Sequence, residues 1–134
     1  MQLITSVNNS IIKEIKSLKI KKYRDQNKLY FIEGYKFVEE ALSSDAEINS
    51  IFVCDIIKEN KKLEIFNKAR QKEYNIKVFT VSDNVLNQLS DTQTPQGILA
   101  VVKMRNYSFL DIAGIDNKNN LFIILDDIRI WAQL

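Results

Sequence analysis

The polar segment Ser90-Asp91-Thr92-Gln93-Thr94-Pro95-Gln96-Gly97 runs straight into the apolar stretch Ile98-Leu99-Ala100-Val101-Val102. It holds the chain's only proline and one of its three glycines. Hydroxyl and amide side chains supply donors and acceptors together, so the loop can present several hydrogen-bonding groups at a strand's entrance. Pro95 stiffens the backbone and Gly97 frees it where a strand begins. An ordinary turn has the same composition, so the surroundings decide between the two.

Within these 134 residues there is no histidine, and Cys54 is the single cysteine. Ser–His and Cys–His catalysis are excluded, and a zinc site would have only carboxylates and one thiol to draw on. No metal is expected. Cys54 closes the apolar run Ile51-Phe52-Val53-Cys54, where a buried, inert thiol is expected. No apolar run approaches the roughly 20 residues that span a bilayer, and Met1–Ser6 lacks a basic flank with an apolar stretch. A cytoplasmic chain with no membrane partner is expected.

The net charge of +2 is unevenly spread. Residues 1–30 carry Lys13, Lys16, Lys19, Lys21, Lys22, Arg24 and Lys28 against Glu14 and Asp25, a balance of +5, and the remainder carries −3. Such a cluster is either a polyanion-facing end or a solvated helix face.

Around these residues the periodicity changes from element to element. Thr5-Ser6-Val7-Asn8-Asn9 offers several N-caps for a helix whose apolar positions are Ile11, Ile15 and Leu18. Lys13, Lys16 and Lys22 fall on its other faces, and Lys19–Arg24 continues as a basic connector. Tyr23 there either stacks on a base or packs on a helix. Leu29–Ile32 reads as a strand, ended by Glu33-Gly34 and followed by a helix through Tyr35, Val38 and Leu42. Ile48–Cys54 is a second strand. A charged helix follows, with Leu63, Phe66 and Ala69 inward and Lys61, Lys62, Glu64 and Lys68 outward. Lys77–Val81 is a third strand, Ser82 or Asp83 caps a helix through Leu89, and Gly97–Val102 is a fourth strand. The strands lack period-two polarity, as expected when helices cover both faces of a sheet. Residues 1–102 therefore predict an α/β fold, a three-layer α/β/α sandwich. Residues 103–120 read as a linker, and Leu121–Leu125 as a buried-type strand with too little sequence after it to supply neighbours.

The order Thr5-Ser6-x-Asn8-Asn9, Ile15-Lys16-Ser17-Leu18, Lys22-Tyr23-Arg24, Phe31-Ile32-Glu33-Gly34 and Ser90–Gly97 resembles the N-terminal half of SpoU-type (SPOUT superfamily, TrmH-like) RNA 2′-O-ribose methyltransferases. The resemblance implies that residues 1–102 are an RNA substrate-binding domain of the ribosomal-protein, kink-turn-RNA-binding type. It implies a linker over 103–120, and over 121–134 the first strand of an incomplete α/β-knot catalytic domain. Full-length members use S-adenosylmethionine and form homodimers. No cofactor is expected in this chain, because the segments that would hold it do not appear. After Leu125 the chain departs from the family, reading Asp126-Asp127-Ile128-Arg129-Ile130-Trp131-Ala132-Gln133-Leu134, so Arg129 is not matched to the family's arginine. Shifted by two bases, one encoding of Arg129–Gln133 reads Asn-Leu-Gly-Thr, which points to a frameshifted, truncated gene whose chain alone transfers no methyl group.

The expected function is capture of structured RNA, ribosomal or transfer. Phosphates would meet Lys13, Lys19, Lys21, Lys22, Arg24 and Lys36. Thr92, Gln93, Thr94 and Gln96, with the backbone at Gly34 and Gly97, would read bases and 2′-hydroxyls. Glu33 either accepts from a base edge or caps the adjacent helix. A stand-alone kink-turn-type RNA-binding protein and a non-functional remnant remain the alternatives.

Overall fold

The computed structural model describes residues 2–108, 110–111 and 123. The strand expected over Leu121–Leu125 and the segment after it lie outside the described residues, apart from Ile123.

Among the described residues ten elements follow one another: β1 (Gln2–Ile4), α1 (Ser10–Ser17), α2 (Lys21–Asn27), β2 (Leu29–Glu33), α3 (Tyr35–Ser43), β3 (Ile48–Cys54), α4 (Glu59–Arg70), β4 (Lys77–Val81), α5 (Asp83–Leu89) and β5 (Ile98–Lys103). The strands form one sheet in the order β1-β4-β3-β5-β2. β4 is parallel to β1 and β3, while β5 runs antiparallel to both of its neighbours, β3 and β2. Four strands therefore point the same way, and their carboxyl ends share one edge of the sheet with the entrance of β5.

Alternate strand residues feed two cores. On one face Phe52, Phe79, Val81, Leu99 and Val101 pack against Ile12, Ile15 and Leu18 of the α1 turn and Val85, Leu86 and Leu89 of α5. The rings of Phe52 and Phe79, register partners, stack with centroids 5.1 Å apart. On the other face Ile51, Val53, Ile98, Ala100 and Val102 meet Val38 and Leu42 of α3 and Ile65 and Ala69 of α4. The three-layer sandwich expected from unalternated apolar strands is the fold observed. Asn9 caps α1 by accepting from the Ile11 amide at 2.9 Å, and Ser82 caps α5 by accepting from Val85. No helix among the described residues is long and apolar enough to cross a membrane.

Three local expectations are corrected. β1 went unread, since three residues pairing Gln2–Ile4 with Phe79–Val81 leave no periodic pattern. The basic connector is the helix α2, which buries no residue and so shows no apolar stripe. Arg24 holds it by donating from Nη1 to the carbonyls of Leu18 and Lys19 at 2.9 and 2.8 Å, satisfying the end of α1. In α4 the inward face is Lys62, Ile65 and Ala69, whereas Leu63 is 61% exposed. Lys62 is only 8% exposed because its stem lies over the core while its ammonium reaches Asp55 at 2.7 Å and Glu59 at 3.2 Å.

Past β5 the chain is pinned to the α3–β3 connection. The Lys103 amide donates to the Glu47 carbonyl at 2.9 Å and its ammonium pairs with the Glu47 carboxylate. Arg105 donates to the Asp45 carbonyl at 2.6 Å and pairs with its carboxylate, and also reaches the Tyr107 hydroxyl at 2.8 Å.

Gly97 has φ +83°, and a Cβ there would stand 2.3 Å from Ile56 Cγ2 and 2.9 Å from Ile57 Cγ1. Gly97→Ala is expected to cost about 1–3 kcal/mol from backbone strain and crowding, read as a lower urea midpoint. At low pH the ion pairs should show as well. The hydrogen bond from Lys68 holds Glu39 below its ordinary 4.5, and that from Arg105 holds Asp45 below its ordinary 3.8. Both carboxyls bind protons less readily folded than unfolded. Their stabilisation is therefore present above those ordinary values and lost as pH falls through the lower folded ones. Thermal unfolding should shift downward below about pH 4.5, and Glu39→Gln with Asp45→Asn should flatten that acid limb.

Candidate nucleic-acid interface

The segment between α5 and β5 crosses the edge where β1, β2, β3 and β4 end. In open α/β sheets that edge is where ligands are held, because the connecting loops there are free of the strand ladder. The main chain is anchored at its end: the Cys54 amide donates to the Gly97 carbonyl at 2.8 Å, and the Gly34 amide to the Ile98 carbonyl at 3.1 Å. Gly97 is buried beneath Ile56 and Ile57, which explains the glycine before the strand.

The start of the segment is held by Glu33. Its carboxylate accepts from the Ser90 hydroxyl, from Thr92 Oγ1 at 2.8 Å and from the Asp91 amide at 3.3 Å. The Ser90 oxygen in turn accepts from the Thr92 amide at 3.0 Å. Charge-assisted bonds of this kind are the stronger class, and Ser90 itself is buried. Glu33 was expected to meet a base edge or cap α3. In the free protein its carboxylate is instead committed to the loop.

Gln96 does what a capping residue would do for α3. Its Oε1 accepts from the Tyr35 amide at 3.3 Å, and Gly34, at φ +103°, has no side chain to offer. A Cβ on Gly34 would sit 3.0 Å from that same Oε1, so the glycine admits the amide. Thr92, Gln93, Thr94 and Gln96 are all exposed. Among the described residues Gln93 and Thr94 make no side-chain hydrogen bond, so the tip of the loop presents unengaged polar groups to solvent.

The cations divide into two sets. Lys19 is drawn into the loop, donating to the Ser90 carbonyl at 2.7 Å and pairing with Asp91 at 3.0 Å. Arg24 is spent on the end of α1, and Lys21 pairs with Asp25 at 2.6 Å. Lys13, Lys22 and Lys36 are exposed and form no ion pair among the described residues. The amino-terminal cluster is thus partly structural. Two cations missed from the sequence lie nearer the Gln96 side of the edge: Lys58, the N-cap of α4, and Lys61, whose ammonium stands 4.5 Å from the Tyr35 ring centroid. Their only sequence signal was a charged helix start, which does not distinguish a solvated face from a ligand surface.

Cys54 is buried and its thiol donates to Asp83 at 2.5 Å. Burial first, and then that carboxylate, push the thiol up from its ordinary value, which keeps it protonated and unreactive.

Comparison with known proteins matches this arrangement to one group. Residues 9–100 match the family model of the MRM3-like substrate binding domain. The 23S rRNA (guanosine(2553)-2′-O)-methyltransferase RlmP of Bacillus subtilis is 33% identical over 104 residues, which are 78% of this chain and 38% of that protein. A crystal structure of an RNA 2′-O ribose methyltransferase aligns at 27% identity with a TM-score of 0.67, covering 81% of this chain and 40% of the other. An rRNA methyltransferase from Sinorhizobium meliloti shares the fold at 24% identity and a TM-score of 0.67, over 79% of this chain and 38% of its own. The chain spans about two-fifths of the length of these relatives. On that footing the chain belongs to the MRM3-like substrate-binding domain family.

Proposed function

We propose that the chain captures structured RNA, as the substrate-recognition part of an S-adenosylmethionine-dependent RNA 2′-O-ribose methyltransferase. Ribosomal RNA is the favoured target over transfer RNA, since the curated relative acts on 23S rRNA. In this reading residues 1–102 are the RNA-binding unit and 103–120 lead into the start of a catalytic domain.

The observation that carries the proposal is the loop held at both ends. Glu33 fixes Ser90, Asp91 and Thr92, while Gly97 is locked under Ile56 and Ile57, leaving Gln93 and Thr94 outward. Pre-ordering a polar loop removes part of the entropy that binding would otherwise cost. Exposed Lys13, Lys22 and Lys36 supply screened attraction to phosphates, and the amides supply the reading of bases and 2′-hydroxyls.

Methyl transfer is a different matter. It needs a donor beside the ribose, with the attacking oxygen aligned to the methyl carbon. A groove of about 670 Å³ lined by Leu63, Phe66, Arg70, Tyr74, Ile76 and Val78 lies along the end of α4 and the start of β4. That is the opposite end of the sheet from the loop, so these residues do not fit a methyl donor serving RNA held there. No catalytic step is assigned to the described residues.

Binding of the 134-residue chain to labelled 23S ribosomal RNA and to transfer RNA, each at two salt concentrations, tests the proposal. Salt-sensitive binding, reduced by Gln93→Ala with Gln96→Ala, is the expected result; binding indifferent to that pair would overturn it. Glu33→Gln keeps the shape but removes the charge that holds the loop. It is expected to weaken RNA binding several-fold while lowering stability by about 1–3 kcal/mol, checked by titration and by urea unfolding. Labelled methyl groups should not enter RNA in the presence of this chain alone.

A further inference from the structure

We propose that Tyr35 is the stacking platform for an unpaired RNA base, and that Lys61 covers its face in the free protein. The inference rests on the RNA-capture reading and adds the residue that would receive the base.

Tyr35 opens α3 directly beside the loop, its backbone amide bonded to Gln96 Oε1 at 3.3 Å. Its hydroxyl donates to Glu64 Oε2 of α4 at 2.5 Å, which fixes the far end of the ring. That hydrogen bond, with burial and the nearby carboxylates, leaves the phenol pushed up to about 12, so it remains a donor at neutral pH. The ring is half-buried against the α3–α4 core, and the Lys61 ammonium stands 4.5 Å from its centroid. A ring anchored through its hydroxyl, on a residue whose backbone amide is also bonded, is a fixed plane, and the flexible four-carbon stem of Lys61 brings its ammonium over one face.

A cation over an exposed ring is a weak contact compared with a nucleobase stacked on it. An arriving base therefore displaces Lys61, whose stem lets the ammonium swing to a phosphate on the same strand. Lys36, the next residue of α3, and Lys58, the N-cap of α4, are both exposed. An aromatic ring under one cation, next to outward amides, is an arrangement by which proteins take single-stranded or bulged RNA bases. Here the Glu64 and Glu39 carboxylates lie at the hydroxyl end and leave phosphates to the Lys61 side. The cation–π contact as a mere brace between α3 and α4 is the competing account.

The test uses the 134-residue chain and 23S ribosomal RNA carrying 5-iodouridine. Ultraviolet crosslinking followed by mass spectrometry should place the adduct on Tyr35. Tyr35→Leu should weaken binding at least about fivefold, while Tyr35→Phe, which keeps the ring and loses only the Glu64 bond, should bind within about twofold of the unaltered chain. Lys61→Ala should reduce the slope of log affinity against log salt by about 0.7–0.9. Circular dichroism of each variant separates misfolding from lost stacking, and the crosslink needs no substitution. Crosslinks only elsewhere, with Tyr35→Leu binding normally while the Gln93/Gln96 pair still weakens binding, would overturn the platform and leave RNA capture standing. No RNA binding by the unaltered chain would overturn both.

Discussion

β5 enters the sheet between β3 and β2 and buries every residue from Ile98 to Val102, and this forces the chain before it onto one edge. A strand paired on both sides cannot slip in register without breaking both ladders and carrying Gly97 or Lys103 into a position that an apolar side chain now fills. Its first residue is therefore fixed, and the loop is fixed with it. Gly97 makes the entry physically possible, since any side chain there would strike Ile56 and Ile57. Because β5 is antiparallel to its neighbours, its entrance lies where the other four strands end. Glu33-Gly34, the start of α4 and the loop are gathered at one place by topology.

The sequence was informative where elements bury a continuous stripe. Ile48–Cys54 and the run after Gly97 read as strands because they are almost wholly apolar and buried, and Lys77–Val81 because it is rich in β-branched and aromatic residues. It was silent where an element buries little. α2 buries no residue, and β1 is three residues long, so each is held by partners distant in sequence and not by its own pattern. α4 was misphased because hydrophobicity and burial part company there: Lys62 goes in and Leu63 stays out.

The site shows the same division. The loop and Gly34 were marked by residue type alone, as proline, glycine and amides punctuate the chain. What Glu33 does was not readable, since its bonds to Ser90 and Thr92 span 57 and 59 residues. The lysine-rich amino terminus is partly engaged inside the fold. Lys19, Lys21 and Arg24 answer to internal carbonyls and carboxylates, and a charge count does not separate such cations from those facing solvent.

The ion pairs at Lys103 and Arg105 have a geometric consequence. β5 runs six residues from Ile98 at the loop to Lys103, so at about 3.3 Å per residue its two ends are roughly 17 Å apart across a rigid sheet. With Glu47 and Asp45 gripping the chain just beyond, its departure is pinned at the far side of the domain. In any longer protein built on this plan the domain works as a ruler. Anything bound at one end and anything attached at the other would have that span to close.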